Sequence, residues 1–230
     1  MPLGRFAELV DAATKAFVAR GYRLTQMSDV ASALGVAKGT LYGYVESKEA
    51  LFDAAVRFAD GQTPLPESSA LPLLTPAAGS TVAFVQARLL DEVKELELVR
   101  VLSRPAGIPA DPDEFARVVG DLFARMSRNR RALKLVDRCA VDHPGLAAVW
   151  FEQGRYGQVA LLAHYLEKGI AAGQLRPVPN VQLAARMVLE TVSLWAIHMP
   201  WDPSPRPHTD SEVERSVVDL IVHAYQKERS

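Results

Sequence analysis

Lys38, Thr40, Tyr42, Tyr44 and Lys48 fall close together in a short polar stretch. They offer two ammonium groups and three hydroxyls, the donors that a polyanion such as a nucleic-acid backbone would accept from. Gly39 and Gly43 interleave with them. No comparable grouping of a nucleophile with a base and an oxyanion-binding loop occurs in the chain. Binding, and not catalysis, is the chemistry these residues suggest, and the chain is expected not to be an enzyme.

Such side chains need a short, well-anchored helix beneath them. The preceding residues predict one. Thr25 can cap a helix running to about residue 34, Gly35-Val36 makes a turn, and a third helix covers about 37–44. Ala31 is small enough for the two helices to cross closely. Val30, Leu34, Val36 and Leu41 then fill the inside of the corner. This is a helix-turn-helix pattern over residues 25–44. Its outer face carries Lys38, Gly39, Thr40, Tyr42, Gly43 and Tyr44, on a helix roughly 12 Å long, which suits a major groove about 12 Å wide. A helix over about 5–20, closed by Gly21, precedes it. A fourth helix over about 48–60, capped by Ser47 and closed by Gly61, follows.

The chain has 230 residues, 49% of them apolar and 23% charged, the profile of an ordinary soluble globular protein. Its net charge is −1. Even within residues 1–60 the charges balance: Arg5, Lys15, Arg20, Arg23, Lys38, Lys48 and Arg57 stand against Glu8, Asp11, Asp29, Glu46, Glu49, Asp53 and Asp60. Affinity for nucleic acid must therefore come from placed cations and helix N-termini, not from bulk attraction. No apolar run approaches the roughly 20 residues of a membrane span. Cys139 is the only cysteine, so no internal disulfide forms, and a cytoplasmic location is expected.

The stretch GYRLTQMSDVASALGVAKGTLYGYVESKEALF resembles the DNA-binding head of TetR-family transcriptional repressors. Their pattern runs Gly-aromatic, Thr, a branched residue, Ile/Val-Ala, Gly-Val-Ser, Gly-Thr-Leu-Tyr, Tyr or His, Phe, then Ser-Lys-Glu-x-Leu. The resemblance implies that Thr25 touches a phosphate, and that Lys38, Gly39 and Thr40 lie at the groove. It also implies that Tyr42 and Tyr44 donate to phosphates and that Lys48 pairs with a phosphate beside its helix N-terminus. Ala37 departs from the family's Ser, Val45 from its Phe, and Gly43 from a usually larger residue.

The expected fold is all-α: a three-helix N-terminal helix-turn-helix head (1–60), a linker (61–80) rich in Pro, Ser and Ala, and a C-terminal helical-bundle body (81–230), to which the resemblance assigns ligand binding and dimerisation. The segments about 143–172 and 180–199 are the expected dimer helices, with Gly154, Gly157 and Ala160 allowing close approach. Phe123, Met126, Trp150, Tyr156, Tyr165, Trp195, His198 and Met199 are the candidate lining of a pocket for a small apolar or amphipathic molecule. Cys139 and His143 have the spacing of a helical metal pair, but two ligands do not make a site, and no metal or cofactor is expected. The basic run Arg125, Arg128, Arg130, Arg131, Lys134 and Arg138 could meet an anionic headgroup, or pair with the acids Asp91, Glu92, Glu95 and Glu97. The partners expected are double-stranded operator DNA, a second copy of the chain and a small ligand, with no membrane. A repressor released by that ligand is the leading expectation. A protein-interaction module with a vestigial head is the alternative.

Overall fold

A computed structural model describes residues 3–105 and 111–227. Among them the regular structure is helical, with two isolated bridges, Val45 with Leu73 and Leu175 with Gln226. The helices are α1 (Leu3–Leu24), α2 (Met27–Ala33), α3 (Lys38–Leu41), α4 (Lys48–Phe58), α5 (Ser80–Lys94), α6 (Glu97–Leu102), α7 (Glu114–Arg128), α8 (Arg130–Cys139), α9 (Tyr156–Ala171), α10 (Val181–Ser193) and α11 (Asp210–Tyr225). No helix among the described residues is long and apolar enough to cross a membrane.

The residues form two compact units, Met1–Arg88 with Asn129–Phe151, and Leu89–Arg128 with Glu152–Ser230. This spatial division differs from the expected division at residues 60 and 80. Apolar faces explain the difference: α8 buries Leu135, Val136 and Cys139, and it packs against α1 and α4. In the same unit α1 buries Phe6, Leu9, Ala13 and Phe17 against α4, whose Leu51, Phe52 and Ala55 face it. Phe6 meets Phe58 edge-on at 5.6 Å, and Phe17 meets Phe52 at 5.1 Å. Each fully buried phenyl of this kind stabilises the unit by roughly 2–3 kcal/mol.

In the second unit α10 packs on α9 and α11 packs on α7. Val118, Val119, Leu122 and Phe123 of α7, Leu162 and Leu166 of α9, and Val188 and Val192 of α10 are buried. The expected continuous helix over 143–172 is divided. Residues Ala148–Arg155 form a widened π-type turn before α9 begins. Gly154 holds α-geometry weakly, which is consistent with the wider turn forming there. A second widened stretch, Leu194–His198, extends α10, and a short 3-10 turn over Met199–Trp201 follows it with Pro200 inside.

Two expectations about local structure are corrected. Gln26, and not Thr25, stands before α2, and its N–H is held by Asp29 Oδ2 at 2.8 Å. Regular α3 spans only Lys38–Leu41. Tyr42, Gly43 and Tyr44 continue it as a turn, because Gly43 resists helical order and Ala37 supplies no side-chain cap.

Candidate nucleic-acid interface and body cleft

The helix-turn-helix corner closes as its residue types demand. Val30 and Ala31 of α2 and Leu41 of α3 are buried at the contact. Gly35 takes φ 65, a left-handed conformation open to glycine. That conformation lets the Gly35 and Val36 N–H groups return to Ser32 O and Ala31 O at 3.1 and 3.0 Å, satisfying the end of α2. Beyond the corner α4 starts cleanly, with Ser47 Oγ accepting the Ala50 N–H at 3.1 Å.

This scaffold leaves Lys38, Gly39, Thr40 and Tyr42 exposed in a row. Two of the other expected contact residues lie elsewhere. Thr25 is fully buried, and its hydroxyl donates to Gly21 O at 2.7 Å and to Ala16 O at 3.2 Å. The break in α1 at Gly21 leaves those carbonyls needing a donor, so the Thr25 hydroxyl is not offered to a phosphate. Tyr44 is buried beside Leu41 and Val45 and belongs to the core of the head, not to its outer face. Lys48 is half-buried. Its ammonium donates to Arg23 O at 3.0 Å and sits 4.7 Å from the centre of the Tyr22 ring. Tyr22 in turn donates to Glu49 at 3.3 Å, and burial, with the neighbouring Glu49 charge, pushes its phenol up to about 12.

Residues far along the chain complete the head. The Asp142 carboxylate accepts the Tyr22 N–H at 2.9 Å and the Arg23 N–H at 3.1 Å. At the opposite end of α8, Asp60 accepts the N–H groups of Arg131 and Ala132 at 2.9 and 3.0 Å, and the Arg131 side chain pairs with Asp11. His143 stacks on Phe52 at 4.9 Å and meets Tyr22 edge-on at 4.4 Å. Burial holds its imidazole below the ordinary histidine range. Cys139 is buried with its sulfur 3.9 Å from Phe17 O, and burial pushes its thiol up to about 12. Among the described residues no group of three metal-ligating side chains gathers. Asp142 was not foreseen as part of the head, and neither was the hold of Asp60 on the start of α8; of their setting, only the break at Gly21 leaves a mark in the local sequence.

The basic run is partly answered by acids. Arg125 pairs with Asp121 at 2.8 Å and with Glu92 at 3.3 Å, and Arg128 reaches Glu92 at 3.4 Å. The expected pocket residues are divided between the two units. Trp150 belongs to the first unit, where its indole donates to Asp137 at 2.8 Å. Tyr156 and Trp195 are exposed, while Phe123 and Met126 are buried in the second unit's core. Helical spacing of aromatic residues did not reveal which faces meet. A cleft of about 520 Å³ in the second unit is lined instead by Glu114, Phe115, Tyr165, Leu175, His223 and their neighbours. Tyr165 is the one expected residue in its wall. Buried Glu114 pairs there with Arg104, and burial together with Glu114 holds the Tyr165 phenol well above its ordinary range.

Two family models match the chain: "Bacterial regulatory proteins, tetR family" over residues 9–55, and "AefR-like transcriptional repressor, C-terminal domain" over residues 117–227. The HTH-type transcriptional repressor KstR2 of Rhodococcus jostii (strain RHA1) is 43% identical over 54 residues, which span 24% of this chain and 26% of that relative. The fatty acid metabolism regulator protein of Bacillus subtilis (strain 168) is 23% identical over 203 residues, 84% of each chain. The structure of the ketosteroid transcriptional regulator KstR2 of Mycobacterium tuberculosis superposes with a TM-score of 0.60 at 21% identity, covering 97% of this chain and 96% of that one. At that identity the likeness is one of fold.

Proposed function

The chain belongs to the TetR family of bacterial regulatory proteins, and from that membership we propose that it is a sequence-specific DNA-binding transcriptional regulator acting as a homodimer. The observation that carries this reading is the exposed row Lys38, Gly39, Thr40 and Tyr42 on a helix-turn-helix whose corner buries Val30, Ala31 and Leu41. In this reading α3 enters a major groove, Lys38 and Thr40 reach the base edges or adjacent phosphates, and Tyr42 and Lys48 hold the backbone. Two heads read half-sites about 34–36 Å apart, or at a multiple of that spacing.

An apolar face on α10 supports self-association. Leu183, Met187 and Leu194 are exposed at helical spacing, and Leu220 of α11 is exposed as well. The regulator is a repressor released by a small apolar or amphipathic ligand held in the second unit, with the Tyr165 cleft as one place for it. Relatives named for ketosteroid regulation and for fatty acid metabolism support that ligand class. Release follows only where the ligand binds the DNA-incompetent state more tightly than the competent one.

Selection from random duplex DNA, followed by gel shift at low salt, tests the reading. Enrichment of an inverted repeat with half-sites one helical turn apart is the expected result. Absence of any sequence-selective binding sinks it.

A further inference from the structure

The segment between α4 and α5 does more than connect them. Its Leu73 pairs with the backbone just after α3: the Leu73 N–H donates to Tyr44 O at 2.8 Å, and the Glu46 N–H donates to Leu73 O at 3.0 Å. Two residues on, the Thr75 N–H donates to Glu46 Oε2 at 2.9 Å, and the Thr75 hydroxyl donates to Ser47 Oγ at 2.9 Å. That Ser47 oxygen is the cap of α4. Further along, Thr81 donates to Asp53 on α4 at 2.8 Å. The segment therefore runs beside α4, with its first contacts on the turn that joins α3 to α4.

That turn needs outside support. Regular helix stops at Leu41, and beyond it the N–H groups of Gly43, Tyr44 and Val45 return to Thr40 O, Leu41 O and again Leu41 O at 3.2, 2.9 and 3.1 Å. Glycine at position 43 adds backbone freedom. The Tyr44 carbonyl and the Glu46 N–H lie outside that set of turn bonds, and Leu73 takes both. Pro72 and Pro76 flank the pairing segment and favour an extended chain. The angle between α3 and α4 sets where the exposed Tyr42 stands relative to the N-terminus of α4. The strap thus acts on the geometry of the groove-facing row without belonging to it.

We infer that Leu73–Thr75 is a positioning strap that holds the α3–α4 turn in the geometry used to read DNA, so that specific binding depends on it more than non-specific binding does. The inference rests on the DNA-binding reading above. A chain that must order this turn on binding loses affinity for the fitted site, while loose electrostatic association is little affected.

The test compares wild type with Leu73→Pro, which lacks the N–H given to Tyr44 O, and with the milder Thr75→Val, which lacks the hydroxyl given to Ser47. Thermal unfolding first establishes that each variant is folded. Leu73→Pro is expected to weaken binding to the selected duplex about tenfold, and Thr75→Val about threefold. Binding of either to random duplex at low salt should change less than about twofold. Hydrogen exchange on the free protein provides a readout that needs no DNA: the amides of residues 41–46 should exchange faster in both variants while those of α1 stay unchanged. Equal losses on selected and random duplex overturn the strap, as does unchanged exchange across residues 41–46. If wild type selects no sequence, the DNA-binding reading falls, and the exchange result alone decides whether the strap holds the turn.

Discussion

The Asp142 carboxylate accepts the main-chain N–H of Tyr22 at 2.9 Å, across 120 residues of sequence. With its second oxygen on the Arg23 N–H, it answers the backbone where α1 breaks at Gly21. The helix-turn-helix therefore begins from a point fixed by a residue beyond α8.

Replacing Asp142 with Ala leaves two N–H groups without their acceptor. Bonds from backbone N–H to a carboxylate are worth about 1.5–3 kcal/mol each, and partial exposure lowers the loss to about 2 kcal/mol in all. For a chain of this size, thermal unfolding should shift down by about 4–8 °C. Asp142→Asn, which keeps one acceptor oxygen, should fall between. An Asp142→Ala melting curve that overlays wild type would show that the clamp contributes nothing.

Gly21 sits at φ 82 and ψ 175, a region essentially restricted to glycine. A Cβ built there would lie 2.7 Å from Arg138 Nη1 and 2.7 Å from Asp142 Oδ2. Gly21→Ala should cost about 2–3 kcal/mol, read by urea unfolding. Because strain and clamp share Asp142, the double variant with Asp142→Ala should lose less than the sum of the two single losses. Strict additivity would separate the glycine from the clamp.

His143 makes the head sensitive to acid. Its folded pKa is lowered from 6.5, with burial outweighing the raising influence of the Pro144 carbonyl, Asp142 and Glu49. The unfolded chain thus takes up the proton first as pH falls. The stability linked to His143 is complete above 6.5 and is lost as pH drops below it toward the folded value. Urea unfolding measured from about pH 7.5 down to about pH 5 should show this decline, and His143→Phe should flatten it. An identical pH slope in the Phe variant would assign the decline to other groups.

Lys48 and Lys38 should separate in their effects on DNA. Lys48→Ala should weaken binding to all sequences and reduce the slope of log affinity against log salt by about 0.9. Lys38→Ala, at the exposed start of α3, should also change which bases are selected, at about 1–3 kcal/mol for the position it reads. If Lys48→Ala altered sequence preference and left the salt slope intact, its phosphate role would be wrong.

Much of the head was legible in sequence because its determinants are local. Ala31, Gly35 and Leu41 stand at offsets that only a tight corner satisfies, and Ser47 caps α4 as its position suggests. Thr25 and Tyr44 misled for a common reason. A hydroxyl at a helix boundary can serve solvent or the interior, and here the open carbonyl at Gly21 and the apolar corner near Leu41 claimed them. The wall of the Tyr165 cleft was not legible because apolar periodicity marks a buried face without naming what covers it. Asp142, Asp60 and Leu73 left no local mark, since each is defined by a partner distant in sequence.

The inclusion of residues 129–151 in the first unit has a consequence for how the protein is made. During synthesis the helix-turn-helix emerges long before α8, and until then the Tyr22 and Arg23 amides and one ring face of Phe52 are open to water. Early translation intermediates thus carry an unfinished reading head, which closes only after α8 and Asp142 have left the ribosome. Grafting this head onto another body would require carrying α8 with it, so a chimera joined near residue 60 would inherit the groove-facing row without the brace that orients it.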